Sequence, residues 1–261
     1  MRPTPPPARA ILITGASRGL GAALARRFAA PGTALRLVAR SEAGLAAIAA
    51  DCEGQGAEAE TAALDVRDAA ALAETLLRWD AARPFDLVIA NAGVTAGTPP
   101  GGGLESWADA DRVLRVNLLG AVNAAAPLLP RMMERRAGRL VFIASVAAFR
   151  GLADSPAYCA SKAGIWAYGE SLRARLRGTG VDVTTVAPGF FRSDMSAKFS
   201  GIHPFELGLE EMAERIARAV EAGHGRAIIP RRMGYPLRLL ELLPARWADA
   251  ATRKFRFTIS G

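Results

Sequence analysis

Cysteine and histidine are both scarce in this chain of 261 residues, which contains two of each. The two cysteines, Cys52 and Cys159, have neither the spacing of metal ligands nor the pattern of a disulfide framework. We therefore expect no metal site and no structural disulfide. The lack of a disulfide framework is typical of a reducing compartment, and we predict that the protein is cytoplasmic.

Long apolar runs are also missing. No stretch of about 18 consecutive apolar residues occurs, so we predict no transmembrane helix. The first nine residues, MRPTPPPAR, contain four prolines and no apolar core of the kind that a signal peptide needs. We interpret residues 1–9 as a flexible lead-in.

Acidic residues are outnumbered by basic ones, 25 to 33, which gives a formal net charge of +8. Such an excess could attract nucleic acid, an anionic membrane or a phosphorylated ligand. The arginines are scattered through predicted helices, however, and no basic motif with interleaved aromatic residues is present. We therefore expect no nucleic-acid partner.

Short apolar runs alternate with longer amphipathic stretches along the chain, which is the pattern of repeated strand and helix units. It predicts an α/β fold, a doubly wound (Rossmann) parallel sheet of about seven strands with helices on both faces. We assign this single domain to residues 10–234, with a substrate loop at 190–207, and an amphipathic helical extension to residues 235–261. Strands are expected at 10–14, 34–39, up to about 64, 85–90, 138–144, 181–187 and 226–230.

A glycine-rich turn, TGASRGLG, follows the first predicted strand and precedes a helix. Glycines at Gly15, Gly19 and Gly21 allow a tight turn and a close approach of the backbone to a pyrophosphate. The N–H groups at the start of the following helix can then bind the phosphates. In this context the turn indicates a dinucleotide site.

The spacing TGxxxGxG resembles that of the short-chain dehydrogenase/reductase family. Further motifs of that family follow in order over residues 10 to 195. They are Asn91-Ala92-Gly93, Asn117 within VNLLG, Ser145 at the end of the fifth strand, YCASK from Tyr158 to Lys162, Pro188-Gly189, and Ser193 where the family often has threonine.

This resemblance implies an oxidoreductase that transfers a hydride between a nicotinamide and a carbonyl or secondary alcohol. Tyr158 would be the general acid and base, and Lys162 would bind the nicotinamide ribose. Ser145 would hydrogen-bond the substrate oxygen, and Asn117 would hold a water in a proton relay. Tyr158 and Lys162 are four residues apart and share one helix face. A neighbouring ammonium and the positive nicotinamide would favour the phenolate and lower the pKa of Tyr158.

Cofactor choice depends on the end of the second strand, where an acidic side chain would select NAD. This strand ends in Val38-Ala39-Arg40, without an acid. Arg40 and Arg18 could instead hold a 2′-phosphate, with the hydroxyl of Ser17, and we predict NADP(H) over NAD(H). The alternative is that Arg40 is merely exposed.

Other cofactor contacts are implied by the resemblance. Asp65, followed by Val66, matches the position that contacts adenine, although Asp65 could also cap the helix that starts near Asp68. The predicted cofactor-binding residues are Gly15, Ser17, Arg18, Gly19, Leu20, Gly21, Arg40, Asp65, Val66, Asn91, Ala92, Gly93, Tyr158, Lys162, Pro188, Gly189 and Ser193.

The substrate is less constrained by the sequence. Phenylalanines within 146–151 and 190–205 favour a small apolar or aromatic carbonyl or alcohol, and a 3-oxoacyl thioester, a steroid-like ketone and an aromatic ketone all remain open. The leucines after Tyr235 are expected to cover the substrate pocket or a subunit interface, with peripheral membrane contact as the less favoured interpretation. The resemblance also implies a homodimer or homotetramer. The alternative function is a nucleotide-binding regulatory protein or a membrane-surface protein with little turnover.

Overall fold

A computed structural model describes residues 9–99, 103–196, 199–200, 203–252 and 258–259. Seven parallel strands form the main sheet, in the order β3-β2-β1-β4-β5-β6-β8. Their bounds are β1 (Ala10–Thr14), β2 (Ala34–Ala39), β3 (Glu58–Ala63), β4 (Leu87–Ala90), β5 (Gly138–Ile143), β6 (Val181–Pro188) and β8 (Arg226–Ile229). Two short strands, β7 (Phe199–Ser200) and β9 (Thr258–Ile259), pair antiparallel with each other.

Helices cover both faces of this sheet. They are α1 (Gly19–Phe28), α2 (Glu42–Glu53), α3 (Ala69–Ala82), α4 (Trp107–Leu114), α5 (Gly120–Ala125), α6 (Leu129–Glu134), α7 (Pro156–Arg175), α8 (Leu209–Glu221), α9 (Arg231–Leu239) and α10 (Ala245–Thr252). Helices α1, α2 and α8 pack on one face, and α3 to α7 pack on the other. The predicted doubly wound sheet of seven strands is therefore confirmed.

Strand β1 shows why the central strands are apolar throughout. Ala10 and Leu12 point into the core beneath α3 to α7, whereas Ile11 and Ile13 point into the core beneath α1 and α8. Successive side chains of a strand alternate between its two faces, so a strand that is covered on both faces needs an apolar residue at every position. The apolar run in the sequence follows from this double burial.

Between residues 104 and 136 the chain forms several short helical pieces. A π-helical turn, Arg115–Leu119, separates α4 from α5, and α6 begins at Leu129 with a proline in its first turn. A Cβ atom at Gly120 would lie 2.5 Å from Cγ2 of Val66, so a glycine is needed where α5 approaches the end of β3. Local periodicity contains no sign of this contact, which joins distant parts of the chain.

Residues 107–134 also form a helical stretch that is long and apolar enough, by length and composition, to cross a membrane. In the structure, α4 packs against α7, and α5 packs against β4 and α3. Val113 and Ala124 within it are fully buried. Within this stretch, 44% of the most apolar window is buried inside the protein.

The C-terminal helix starts earlier than predicted, so the domain boundary after residue 234 lies inside α9. This helix packs closely against the sheet edge, because a Cβ atom at Gly234 would lie 2.1 Å from Cγ2 of Ile228 in β8. A short 3₁₀ turn, Leu240–Leu242, then connects α9 toward α10.

Asp80 is a buried carboxylate in α3 on which three groups converge. It accepts hydrogen bonds from the backbone N–H of Phe85 at 2.9 Å and from both terminal nitrogens of Arg135 at 3.0 Å. We expect Asp80→Ala to lower the free energy of unfolding by about 2 to 3 kcal/mol, because it leaves these donors without a partner. The measurement is urea denaturation.

The matched control is Asp111→Ala, which removes the carboxylate of an exposed pair with Arg115 at 2.8 Å. Such a pair contributes about 0.5 kcal/mol or less. If the two variants lost the same free energy of unfolding, the buried hydrogen bonds of Asp80 would contribute no more to stability than the exposed ion pair does.

Candidate active site

A cleft of about 470 Å³ opens at the carboxyl ends of the sheet strands, beside the point where the strand order reverses between β1 and β4. Ligands of open α/β sheets bind at such a point. Every predicted site residue lines the cleft except Gly21 and Asn117. Lining residues that the sequence motifs did not single out include Ser41, Val94, Asp194 and Met195. Each lies within two residues of a predicted position in the chain, and that proximity was the only signal for them.

The glycine loop is shaped by close backbone approaches. Gly15 has a φ of +68°, and a Cβ atom there would lie 2.7 Å from the Cα of Ala92. A Cβ atom at Gly21 would lie 2.2 Å from the carbonyl oxygen of Gly15. Gly21 therefore acts by letting α1 approach the loop. Arg18 at the start of α1 makes no side-chain capping bond, so the first N–H groups of the helix remain available for a phosphate.

Asn91 and Thr14 connect the ends of β1 and β4. The side-chain nitrogen of Asn91 donates to the carbonyl oxygen of Thr14 at 3.0 Å. In return, the hydroxyl oxygen of Thr14 accepts bonds from the backbone N–H groups of Asn91 and Ala92, both at 3.1 Å. The two strand ends that border the cleft are thus fixed relative to each other.

Asn117 lies in the π-helical turn, and its buried side chain bonds to protein groups. Its Oδ1 accepts from the N–H of Val94 at 2.8 Å, and its Nδ2 donates to the carbonyl of Val94 and to Oγ of Ser161, both at 3.0 Å. The side chain therefore positions the loop after β4 against α7. Its role in holding a water stays a prediction.

Ser161 is a buried residue within YCASK that sequence reasoning missed. Its hydroxyl donates to the carbonyl oxygen of Tyr158 at 2.7 Å while it accepts from Asn117. It thus couples the π-helical turn to the first turns of α7. Its place between Tyr158 and Lys162 was the available signal.

Ser145, Tyr158 and Lys162 meet at the floor of the cleft. Lys162 is buried, its Nζ donates to the carbonyl of Ile143 at 2.9 Å, and this nitrogen lies 5.7 Å from the centroid of the Tyr158 ring. The Ser145 side chain hydrogen-bonds to Tyr158 and accepts from the N–H of Ala147 at 3.1 Å. A substrate oxygen can therefore reach two hydroxyl groups at once.

Burial dominates the ionisation of this group. It raises the pKa of Tyr158 to about 12, although the bond with Ser145 acts in the opposite direction, and it lowers the pKa of Lys162 to about 8. This differs from the predicted lowering at Tyr158. The ammonium of Lys162 is directed to the carbonyl of Ile143, and the loss of hydration outweighs its attraction for a phenolate. At neutral pH, Tyr158 holds its proton and can donate it.

The predicted phosphate clamp lies at the outer end of the cleft. Arg40 is exposed and lines the cleft, as does Arg18, whose Nη1 is 3.8 Å from a carboxylate oxygen of Asp194. Both arginine side chains are exposed and can therefore contact an anion that enters from solvent. A nicotinamide dinucleotide fits this arrangement. The arrangement consists of the cradle formed by Gly15 and Gly21, the uncapped start of α1 and these two arginines.

Asp65 lines the cleft but is not a helix cap, so that alternative was wrong. Asp68 caps α3, accepting from the N–H of Ala71 at 3.0 Å. The carboxylate of Asp65 instead pairs with Arg67, at 2.7 Å from Nη2, and this bond holds the pKa of Asp65 below its usual value.

A second cavity of about 320 Å³ adjoins the cleft at Ser145, Tyr158 and Gly189. Its wall is largely apolar and combines the 190–207 loop with α9. Apolar residues lining it include Phe190, Phe191, Phe205, Met233, Leu237 and Leu240. The predicted substrate region therefore forms a pocket beside the tyrosine.

Phe149 was expected in that pocket and lies elsewhere. It is buried in the core, with its ring edge-on to Trp166 at 4.8 Å and under the guanidinium of Arg238 at 5.6 Å. Its neighbours Val146 and Arg150 do line the cavity. The 3₁₀ turn Val146–Ala148 rotates Phe149 away toward α7. The side chain of Phe199 lies outside the described residues.

Metal ligands do not cluster in the described part of the chain, where no three or more histidine, cysteine, aspartate or glutamate side chains could hold an ion.

Known proteins resemble this chain along most of its length. The family described as short chain dehydrogenase matches residues 9–201. An uncharacterized oxidoreductase of Myxococcus xanthus is 38% identical over 249 residues, which cover 95% of this chain and 98% of that protein. A 3-oxoacyl-(acyl-carrier-protein) reductase of Vibrio harveyi is 34% identical over 192 residues, covering 71% of this chain and 74% of the reductase.

Solved structures agree. The crystal structure of a 3-oxoacyl-(acyl-carrier protein) reductase from Brucella melitensis has a TM-score of 0.73 and 27% identity, and the match covers 85% of this chain and 89% of that one. The matched family region includes the glycine loop, the cleft and the helix that carries Tyr158. The chain therefore belongs to the short-chain dehydrogenase family and is an oxidoreductase that binds a nicotinamide cofactor.

Proposed function

We propose that this protein uses NADPH to reduce a small apolar or aromatic carbonyl compound, or catalyses the reverse oxidation of an alcohol. The observation that carries the proposal is the place of Ser145 and Tyr158, which lie where the dinucleotide cleft meets the apolar cavity. A carbonyl group held in that cavity can reach both hydroxyls. The Vibrio and Brucella relatives that are named as 3-oxoacyl reductases support a carbonyl substrate.

The nicotinamide, when bound, supplies or accepts the hydride at the substrate carbon. In the reducing direction, Tyr158 donates the proton of its hydroxyl to the carbonyl oxygen, and the Ser145 hydroxyl holds that oxygen by a hydrogen bond. Lys162, protonated below pH about 8, would hold the nicotinamide ribose and supplies positive charge beside Tyr158. Asn117 and Ser161 position the helix that carries these groups.

The test is the loss of NADPH absorbance with a panel of apolar ketones, aromatic ketones and 3-oxoacyl thioesters. Turnover on members that fill the cavity supports a reductase. NADPH binding without turnover on any of them would instead favour the nucleotide-binding regulatory protein. Assembly into a homodimer or homotetramer and a place in the cytoplasm stay predictions.

Preference for NADPH is expected to depend on Arg40. We expect Arg40→Ser to weaken NADPH binding about tenfold or more and to leave NADH binding nearly unchanged. The reason is that a charge-assisted bond to the 2′-phosphate is lost, and NADH has no such phosphate. Dissociation constants come from fluorescence titration of each nucleotide.

Arg175→Ser is the matched control, since Arg175 is exposed at the far end of α7 and its loss lowers the net charge equally. It should leave both affinities unchanged. Equal binding of NADPH and NADH by the native protein would contradict the arginine clamp.

A further inference from the structure

The C-terminal segment carries a row of large apolar side chains that face solvent. Tyr235, Leu239, Leu242, Leu243 and Trp247 are between 48% and 80% exposed, and we call them the C-terminal apolar face. These side chains occur within thirteen residues, from α9 to α10. Single exposed apolar residues are ordinary, but a cluster of this kind marks a surface that binds something.

The opposite side of the same segment lines the apolar cavity. Met233, Leu237 and Leu240 contribute to its wall, and Phe205, itself 44% exposed, lies at that wall under the guanidinium of Arg232, 4.3 Å from the ring centroid. Helix α9 therefore carries apolar side chains both toward the cavity and toward solvent. The sequence led us to expect that the leucines of this segment cover the substrate pocket. That role explains the apolar side chains that face the cavity but not those that face solvent.

Positive charge accompanies the exposed apolar residues. Residues 231–256 contain seven arginines and lysines against two acidic residues, Glu241 and Asp249, so this segment alone accounts for five of the eight net charges of the protein. Asp249 is moreover paired with Arg150. Arg231 and Arg246 are exposed in the same segment, and the guanidinium of Arg246 lies 5.8 Å from the ring centroid of Trp247.

We propose that the C-terminal apolar face binds the surface of an anionic lipid bilayer. Exposed leucines and a tryptophan beside arginines are the composition of an interfacial segment, in which apolar side chains enter the headgroup region and arginines meet lipid phosphates. A second copy of this chain fits less well, because a two-fold contact would bring the same positive segments together. Docking in this way places the wall of the substrate cavity next to the lipid.

The experiment uses the full-length protein and sedimentation with vesicles, without any turnover, so its result is independent of the proposed reaction. We expect binding to vesicles that contain phosphatidylglycerol, and at least about tenfold weaker binding to vesicles of phosphatidylcholine alone, because several arginines each lose their attraction. Added salt should release the protein from the anionic vesicles.

The variant Leu242→Gln/Trp247→Gln tests the apolar part, since neither residue lines the cavity. Its binding should fall about tenfold or more. The matched control is Leu104→Gln/Trp107→Gln, which removes a leucine and a tryptophan that are 91% and 80% exposed elsewhere on the surface. The control variant should bind vesicles as the native protein does. Circular dichroism and NADPH binding report whether both variants fold.

Two results would overturn the proposal. The first is an equal loss of binding in both double variants, or none in either. The second combines two observations. The native protein does not bind vesicles, and in the absence of vesicles only Leu242→Gln/Trp247→Gln changes the sedimentation velocity of the protein. That outcome would identify the face as a contact between subunits.

Discussion

Tyr158→Phe is expected to lower kcat by about a hundredfold to ten-thousandfold and to leave the dissociation constant of NADPH within about threefold. The substitution removes only the hydroxyl, which is the proton donor to the substrate oxygen. The ring remains to fill its place beside the cleft. Because the pKa of Tyr158 is raised to about 12, its hydroxyl is protonated at neutral pH and can donate a proton. The phenylalanine of the variant has no such proton.

Tyr168→Phe is the matched control on the same helix. Tyr168 lies two turns or more along α7, and its ring packs edge-on against Phe142 with centroids 5.4 Å apart. It does not line the cleft. If Tyr158→Phe turned over substrate as fast as Tyr168→Phe does, Tyr158 would be excluded as the proton donor, whatever the substrate.

Lys162 is expected to set the upper pH limit of activity. Its folded-state pKa, about 8, lies below the ordinary value of 10.5, so the ammonium is present below pH 8 and is lost as the pH rises through that value. We therefore expect kcat/KM for NADPH to fall about tenfold per pH unit above pH 8. Lys162→Met should lower kcat/KM about a hundredfold or more at neutral pH, since charge and hydrogen bond are both lost.

Lys162→Arg separates the charge from the titration. A guanidinium stays protonated throughout this range, so the remaining activity of this variant should show no fall near pH 8. The same fall in native protein and in Lys162→Arg would mean that another group titrates there. Rate profiles from pH 6 to 10 measure both cases.

Much of the fold could be predicted from the sequence because its signals are local. Strands such as β1 and β2 are short apolar runs, and their predicted bounds agree with the structure at both ends. The motif residues that follow these strands meet at one edge because the strands are parallel. The motifs thus predicted most of the residues that line the cleft.

The division of residues within the site was less accessible to the sequence. Phe149 and Phe205 are both phenylalanines in predicted substrate regions, yet one is buried in the core and the other lines the cavity. Leu237 and Leu239 are two residues apart in α9, and only the first faces the cavity. A pattern of residue types does not state which neighbour each side chain will meet.

The sequence by itself determined which motif follows which strand, the glycine loop and the shared helix face of Tyr158 and Lys162. Each of these depends on residues that are close in the chain. The tertiary structure alone decided the raised pKa of Tyr158, the π-helical turn at Asn117 and the exposed side of α9. Desolvation, close packing and exposure are set by atoms from distant parts of the chain, and only the folded arrangement brings those atoms together.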